Sequence, residues 1–137
     1  MINKVLMAGT LLSISLMSFA ESDWKIVGTT KENVYGIDLN SIANVSEYPY
    51  QKNKKAWIKN VIVNDLTKDG MSVGDYNMIL EWVNCNDRTL GYKSNTAYKK
   101  DGTLIPGLSN SRSYVKMDDV IPGTIGESIL ETICNLN

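Results

Sequence analysis

The chain has 137 residues, a formal net charge of −1 and no histidine. A charge this near balance gives no basis for holding nucleic acid or an anionic membrane. The missing imidazole excludes Ser-His-Asp and Cys-His catalysis and the usual zinc and copper centres.

Met1 to Ala20 has a basic start at Lys4, an apolar stretch from Val5 to Met17 and the ending Ser18-Phe19-Ala20. Small residues at the last and third-last positions are what a signal peptidase requires, so the segment reads as a secretory signal peptide cleaved before Glu21. The apolar stretch is shorter than the roughly 20 residues that span a bilayer, and no cysteine near the cleavage site offers a lipid anchor. The expectation is an exported protein, periplasmic or at the outer surface or secreted, and not a lipoprotein. Residues 21–137 form a single domain of a length that supports one core.

Asp23 to Val27 alternates Trp24 and Ile26 with polar neighbours, and Asn33 to Asp38 follows after a polar turn; together they read as a hairpin. Asp38 to Ile42 reads as a capped turn, and Asn44 to Lys55, with Tyr48-Pro49-Tyr50 and a basic end, as an exposed loop. Ala56 to Val63 is the next strand, with Trp57, Val61 and Val63 on one face and Ala56, Ile58 and Ile62 on the other. Asn64 to Asp75 is a polar loop. Its Asp65 and Asp69 lack the alternating ligands and terminal Glu of an EF-hand, so no metal site is assigned.

Tyr76 to Cys85 holds no Gly or Pro and is rich in aromatic and branched residues, which predicts the central strand. Tyr76, Met78, Leu80 and Trp82 share one face; Ile79, Glu81, Val83 and Cys85 share the other. Thr89 to Tyr98 is a further strand, and Lys100-Asp101-Gly102 predicts a type I′ hairpin into Thr103 to Ile105, which Pro106-Gly107 stops. Ser109 to Ser113 reads as a polar loop, Tyr114 to Met117 as a last short strand and Asp118-Asp119 as a solvated turn.

After Pro122-Gly123, Thr124 and Glu127 make a capping box, and Ile125, Ile129, Leu130, Ile133 and Cys134 fall on one helical stripe. A Cys85 to Cys134 disulfide would fasten that stripe to the strand face of Ile79 and Val83, whereas two unpaired core thiols would leave the helix held by packing alone. Export to an oxidising compartment favours the cross-link. The fold class is therefore α+β: an antiparallel sheet of five to six strands with a C-terminal helix on one face, tethered by the disulfide.

Trp24, Tyr35-Gly36-Ile37-Asp38 followed by Ser41-Ile42, Trp57, the strand ending at Cys85, Tyr98 before Gly102, and the Pro122 to Cys134 segment together resemble the surface-adhesin protein E family of Gram-negative bacteria. The resemblance implies an antiparallel sheet with its C-terminal helix held by the cysteine pair. It also implies an adhesive function, since the family's named member is an outer-membrane lipoprotein that binds host extracellular-matrix and serum proteins. This chain departs from that member in lacking a lipid-attachment cysteine.

No Gly-x-Ser-x-Gly or Ser-x-x-Lys pattern supports a hydrolase, and no cofactor is expected. Glu81 is the one carboxylate set by parity on the helix-bearing face; a bulge, an open end of the sheet or a lysine partner accounts for it there, and a site with a shifted pKa is the sharper alternative. Arg88, Tyr92, Lys93, Tyr98, Lys99 and Lys100 give one hairpin a basic and aromatic character suited to holding another protein, or, in the plainer reading, to keeping an edge hairpin soluble. The expected function is a non-enzymatic protein-binding module, with a host matrix or serum protein as the implied partner and the oligomeric state open, a dimer included. The alternative is a periplasmic inhibitor or immunity protein that plugs an enzyme cleft with Asn44 to Lys55.

Overall fold

Residues 23–136 are described by the computed structural model, and the leader expected at Met1 to Ala20 lies outside them. Strand β1 (Trp24–Thr29) turns into β2 (Asn33–Asp38) through Thr30, whose hydroxyl accepts the N–H groups of Glu32 and Asn33 at 3.2 and 2.9 Å. Asp38 then caps a single 3-10 turn, Leu39–Ser41, by accepting the Asn40 N–H at 3.0 Å. The Ser41 hydroxyl donates to the Asp38 carbonyl and accepts the Trp57 N–H at 2.8 Å, which ties this turn to the middle of the sheet.

Strand β3 (Ala43–Asn44) is short and pairs with the start of β4 (Lys54–Ile62). Strands β5 (Tyr76–Asn84), β6 (Thr89–Tyr98), β7 (Leu104–Ser111) and β8 (Asp118–Asp119) follow, and helix α1 (Ile125–Asn135) ends the chain. All pairings are antiparallel, in the order β1-β2-β4-β5-β6-β7, with β3 added on β4 and β8 on β6. Six strands form the through-path and two short ones flank it.

The parity of β5 decides where the core sits. Val83, with Ile79 and Cys85 alongside, packs with Ile37, Ala56 and Ile58 under Ile129, Leu130 and Ile133 of α1, so the helix lies on the face where the sequence places it. Each such aliphatic side chain contributes about 1.5–3 kcal/mol when fully buried, which offsets the weak intrinsic stability of an 11-residue helix. Thr124 accepts the Glu127 N–H at 3.3 Å, and Glu127 reaches back to the Gly123 N–H at 3.1 Å, one residue earlier than a capping box requires. Cys85 and Cys134 are joined, with their Cα atoms 5.8 Å apart.

Four local expectations are corrected. β4 starts at Lys54, because β3 and β5 supply partners for Lys54 and Lys55 that a loop reading could not foresee. The β6–β7 turn is not type I′: only Gly102 has positive φ, the Gly102 N–H bonds the Lys99 carbonyl and the Lys99 N–H bonds the Thr103 carbonyl. That is a type I turn completed by a glycine bulge. β7 runs on through Pro106 and Gly107 to Ser111, since an edge strand can spare an N–H. The last strand is Asp118–Asp119 and not Tyr114 to Met117, whose Val115 and Met117 turn inward against the sheet without pairing.

Candidate protein-binding surface

The sheet face opposite α1 is divided in two. At one end Val45 and Tyr50 from the β3–β4 loop, and Val115 and Met117 from the segment before β8, cover Trp82 and Leu80. Gly91 makes that cover possible, because a Cβ there would overlap the Lys116 carbonyl and press on Val115. Trp82 is thereby fully buried, with Tyr50 tilted against it at 5.3 Å between centroids.

The other end of this face carries no such covering segment among the described residues. Register places Trp24 of β1 beside Asp38 of β2, Trp57 and Lys59 of β4 beside Leu80 and Met78 of β5, and Tyr76 and Met78 beside Tyr98 and Thr96 of β6. Asp38, Trp57, Met78, Thr96 and Tyr98 line a cleft of about 250 Å³. Tyr76 and Tyr98 stack with centroids 5.3 Å apart and planes 21° from parallel. The Lys59 ammonium lies 4.4 Å from the Tyr76 centroid and 5.8 Å from the Trp24 ring. Burial in the stack, with Tyr98 and Asp101 adding to it, raises the Tyr76 pKa, so its hydroxyl stays neutral. Trp57 is 36% exposed, and Ile26 and Leu104 on the same face are 53% and 51% exposed.

The six hairpin residues singled out from the sequence do not form one patch. Arg88, with a positive φ of 53°, sits in the β5–β6 turn and makes exposed ion pairs across to α1, with Glu127 at 3.4 Å and Glu131 at 3.1 Å. Tyr92 stands opposite Glu81 on the helix side, beneath the Arg112 guanidinium at 3.7 Å. Lys93 leans over Trp82 at 5.6 Å. Tyr98 belongs to the open aromatic face, and Lys99 and Lys100 are exposed in the turn that follows it, with the Lys100 N–H bonded to Asp75 at 3.0 Å. Trp24, Trp57, Lys59, Tyr76 and Met78 join Tyr98 without having been singled out as binding residues. Their shared parity was visible, but parity names a face and not what covers it.

Glu81 lies between Ala56 and Tyr92, next to a register shift against β6. The extra residue at that shift is Lys93 of β6, and the irregularity leaves the Glu81 carboxylate largely buried. Its Oε2 is buried without a hydrogen-bond partner among the described residues, and burial pushes the carboxyl up to about 7. No three His, Cys, Asp or Glu side chains gather among the described residues, and no described helix is long and apolar enough to cross a membrane.

No protein-family model matches the chain, and no curated protein matches it. Among solved structures it is similar to crystal form II of Haemophilus influenzae protein E, at 16% identity and a TM-score of 0.43, over 79% of this chain and 91% of that one.

Proposed function

We propose that this chain is an exported, non-enzymatic module that holds another protein against the open aromatic half of its sheet, with host extracellular-matrix and serum proteins as the first partners to test. In this reading residues 21–137 act as one module after the leader at 1–20 is removed. The observation that carries it is the grouping of the exposed Trp57 with the half-buried Met78, Tyr98 and Lys59 on paired strands around one cleft. Aromatic and methionine side chains are enriched at protein interfaces, and Trp and Tyr are enriched among the hot spots there, because their rings present large area at low conformational cost. The resemblance read from the sequence implies the same class of activity.

The test is surface binding to a panel of purified matrix and serum proteins, with wild type compared to Trp57→Ala and Tyr98→Ala. Loss of binding in both variants, with each still fully folded at the assay temperature, supports the reading. Binding that ignores both substitutions removes it.

The inhibitor reading keeps one observation of its own. The β3–β4 hairpin is braced by Val45 N–H to Asn53 O at 2.9 Å, Tyr50 N–H to Glu47 O at 2.7 Å and Asn53 N–H to Tyr50 O at 2.9 Å, and it presents Tyr48 at its tip, 85% exposed. A braced loop with a projecting aromatic suits a cleft. Tyr48→Ala then abolishes inhibition of a neighbouring lytic enzyme and leaves matrix binding untouched.

A further inference from the structure

Among the described residues the outer edges of the sheet are β1, with the two-residue β3 in line with β2 along β4, and β7, with β8 in line with it along β6. Native edges are kept from pairing with other chains by bulges, prolines and charges. β1 has a register shift between Ile26 and Gly28, and carries Lys25. β8 is two aspartates, Asp118 and Asp119. The first half of β7 is broken by Pro106, by the positive φ of Gly107 and by a register shift between Thr96 and Tyr98.

The second half of β7 has none of these protections. Ser109, Asn110 and Ser111 pair in unbroken register with Thr96, Asn95 and Ser94, and Leu108 to Ser111 are uncharged and exposed. The Arg112 N–H bonds the Lys93 carbonyl at 2.9 Å. Because inward and outward pairs alternate in an antiparallel ladder, Asn110 and Arg112 turn their main-chain groups toward β6. Those of Ser109 and Ser111 therefore point away from the sheet, where no described strand pairs with them.

A fixed cation stands at the end of this stretch. The Arg112 guanidinium lies 3.7 Å from the Tyr92 ring centroid and donates to the Tyr92 hydroxyl at 2.6 Å, and the Asn110 amide bonds the same hydroxyl at 3.1 Å. No carboxylate pairs with Arg112 among the described residues. The guanidinium lies on the side of the sheet that carries Tyr92 and Asn110, the side to which alternate residues of an added strand would point.

We propose that Leu108 to Ser111 is a strand-addition site for an extended acidic segment of a partner protein. The partner's main chain bonds Ser109 and Ser111, and an Asp or Glu of the segment meets Arg112 in a charge-assisted pair. This surface is the edge of the sheet and not its aromatic face, so it goes beyond the function proposed above.

The probes are three alternating Thr-Val octapeptides carrying Asp, Asn or Lys at two central positions, titrated into the isotope-labelled protein with its disulfide formed. Amide exchange is followed residue by residue. The Asp peptide slows exchange at Ser109 and Ser111 at least about tenfold, and the Lys peptide does not. Ser109→Pro, which removes an outward donor and leaves the β6 pairing, abolishes the effect. Arg112→Gln weakens the Asp peptide about tenfold and leaves the Asn peptide unchanged. Trp57→Ala leaves all of this in place, which separates the edge from the aromatic face. Equal responses to Asp and Lys peptides, or responses confined to Trp57, Tyr76 and Tyr98, overturn the proposal. Protection of Ser109 and Ser111 that rises with protein concentration alone assigns the edge to a second copy of the chain and overturns it as well.

Discussion

The ammonium of Lys59 lies 4.4 Å from the centre of the Tyr76 ring, on a sheet face that nothing else in the described chain covers at that end. A cation held over an aromatic ring at a partly exposed site contributes about 0.5–1 kcal/mol, so the pair orients the face more than it stabilises the fold.

Trp57→Ala separates binding from stability. Trp57 is 36% exposed and outside the buried clusters, so its loss is expected to cost the fold no more than about 1–2 kcal/mol, below the usual cost of emptying a core site. If it is a hot spot, binding falls by about 2 kcal/mol or more, roughly thirtyfold. Urea titration and surface binding on the same preparation show which quantity moves.

Cys134→Ser is expected to lose roughly 2–5 kcal/mol, since in the chain-entropy model a bridge across 49 residues is worth about 4 kcal/mol. The loss is not uniform. Ile125, Ile129 and Ile133 loosen in hydrogen exchange before the β1–β2 hairpin does, because α1 cannot hold its own turns without the sheet. An unchanged midpoint on reduction would show that packing alone holds the helix.

Glu81 sets a pH dependence of definite sign. The folded protein keeps this carboxyl protonated up to about pH 7, while the unfolded chain releases the proton near its ordinary value of 4.5. Between those values the folded state binds more protons, so stability falls as pH rises from about 4.5 to 7 and is level above, by about 3 kcal/mol in full. Glu81→Gln flattens that slope and is the more stable protein at pH 8. Denaturation at pH 5 and pH 8 decides it; a wild-type stability that climbs across this window contradicts the assignment.

Gly91→Ala places a methyl group against the Lys116 carbonyl and Val115. The segment that covers Trp82 must lift, at a cost of about 1–3 kcal/mol. The expected signature is a red shift of tryptophan emission in the still-folded protein, as water reaches an indole that is 2% exposed in the wild type.

Period and capping made the centre of the fold readable. β5 is a nearly continuous apolar run free of Gly and Pro, α1 has a clear stripe with its cap, and the two cysteines fall where the stripe meets one face of that strand. The edges were less readable, because pairing there depends on position more than on residue type. Asp118 and Asp119 are poor strand formers, yet they pair with Thr89 and Leu90 because Arg88 accepts the Val120 N–H and brings the segment alongside. Val115 and Met117 alternate like a strand while serving as a lid. The aromatic face stayed hidden for the same reason: Tyr76, Met78, Leu80 and Trp82 share one parity, but only the last two lie under the loops.

The span closed by Cys85 and Cys134 takes in β6, β7, β8 and α1, and with them Arg88, Lys93, Lys99, Lys100, Arg112 and Lys116. A trypsin-like protease that cuts once after any of these leaves both fragments covalently joined. A nicked molecule would migrate as a single species without reductant and split in two with it. The bridge therefore guards the C-terminal half against a single cut: beside every basic residue of the β6–β7 turn and of the segment after β7, the protein can lose a peptide bond without shedding a piece.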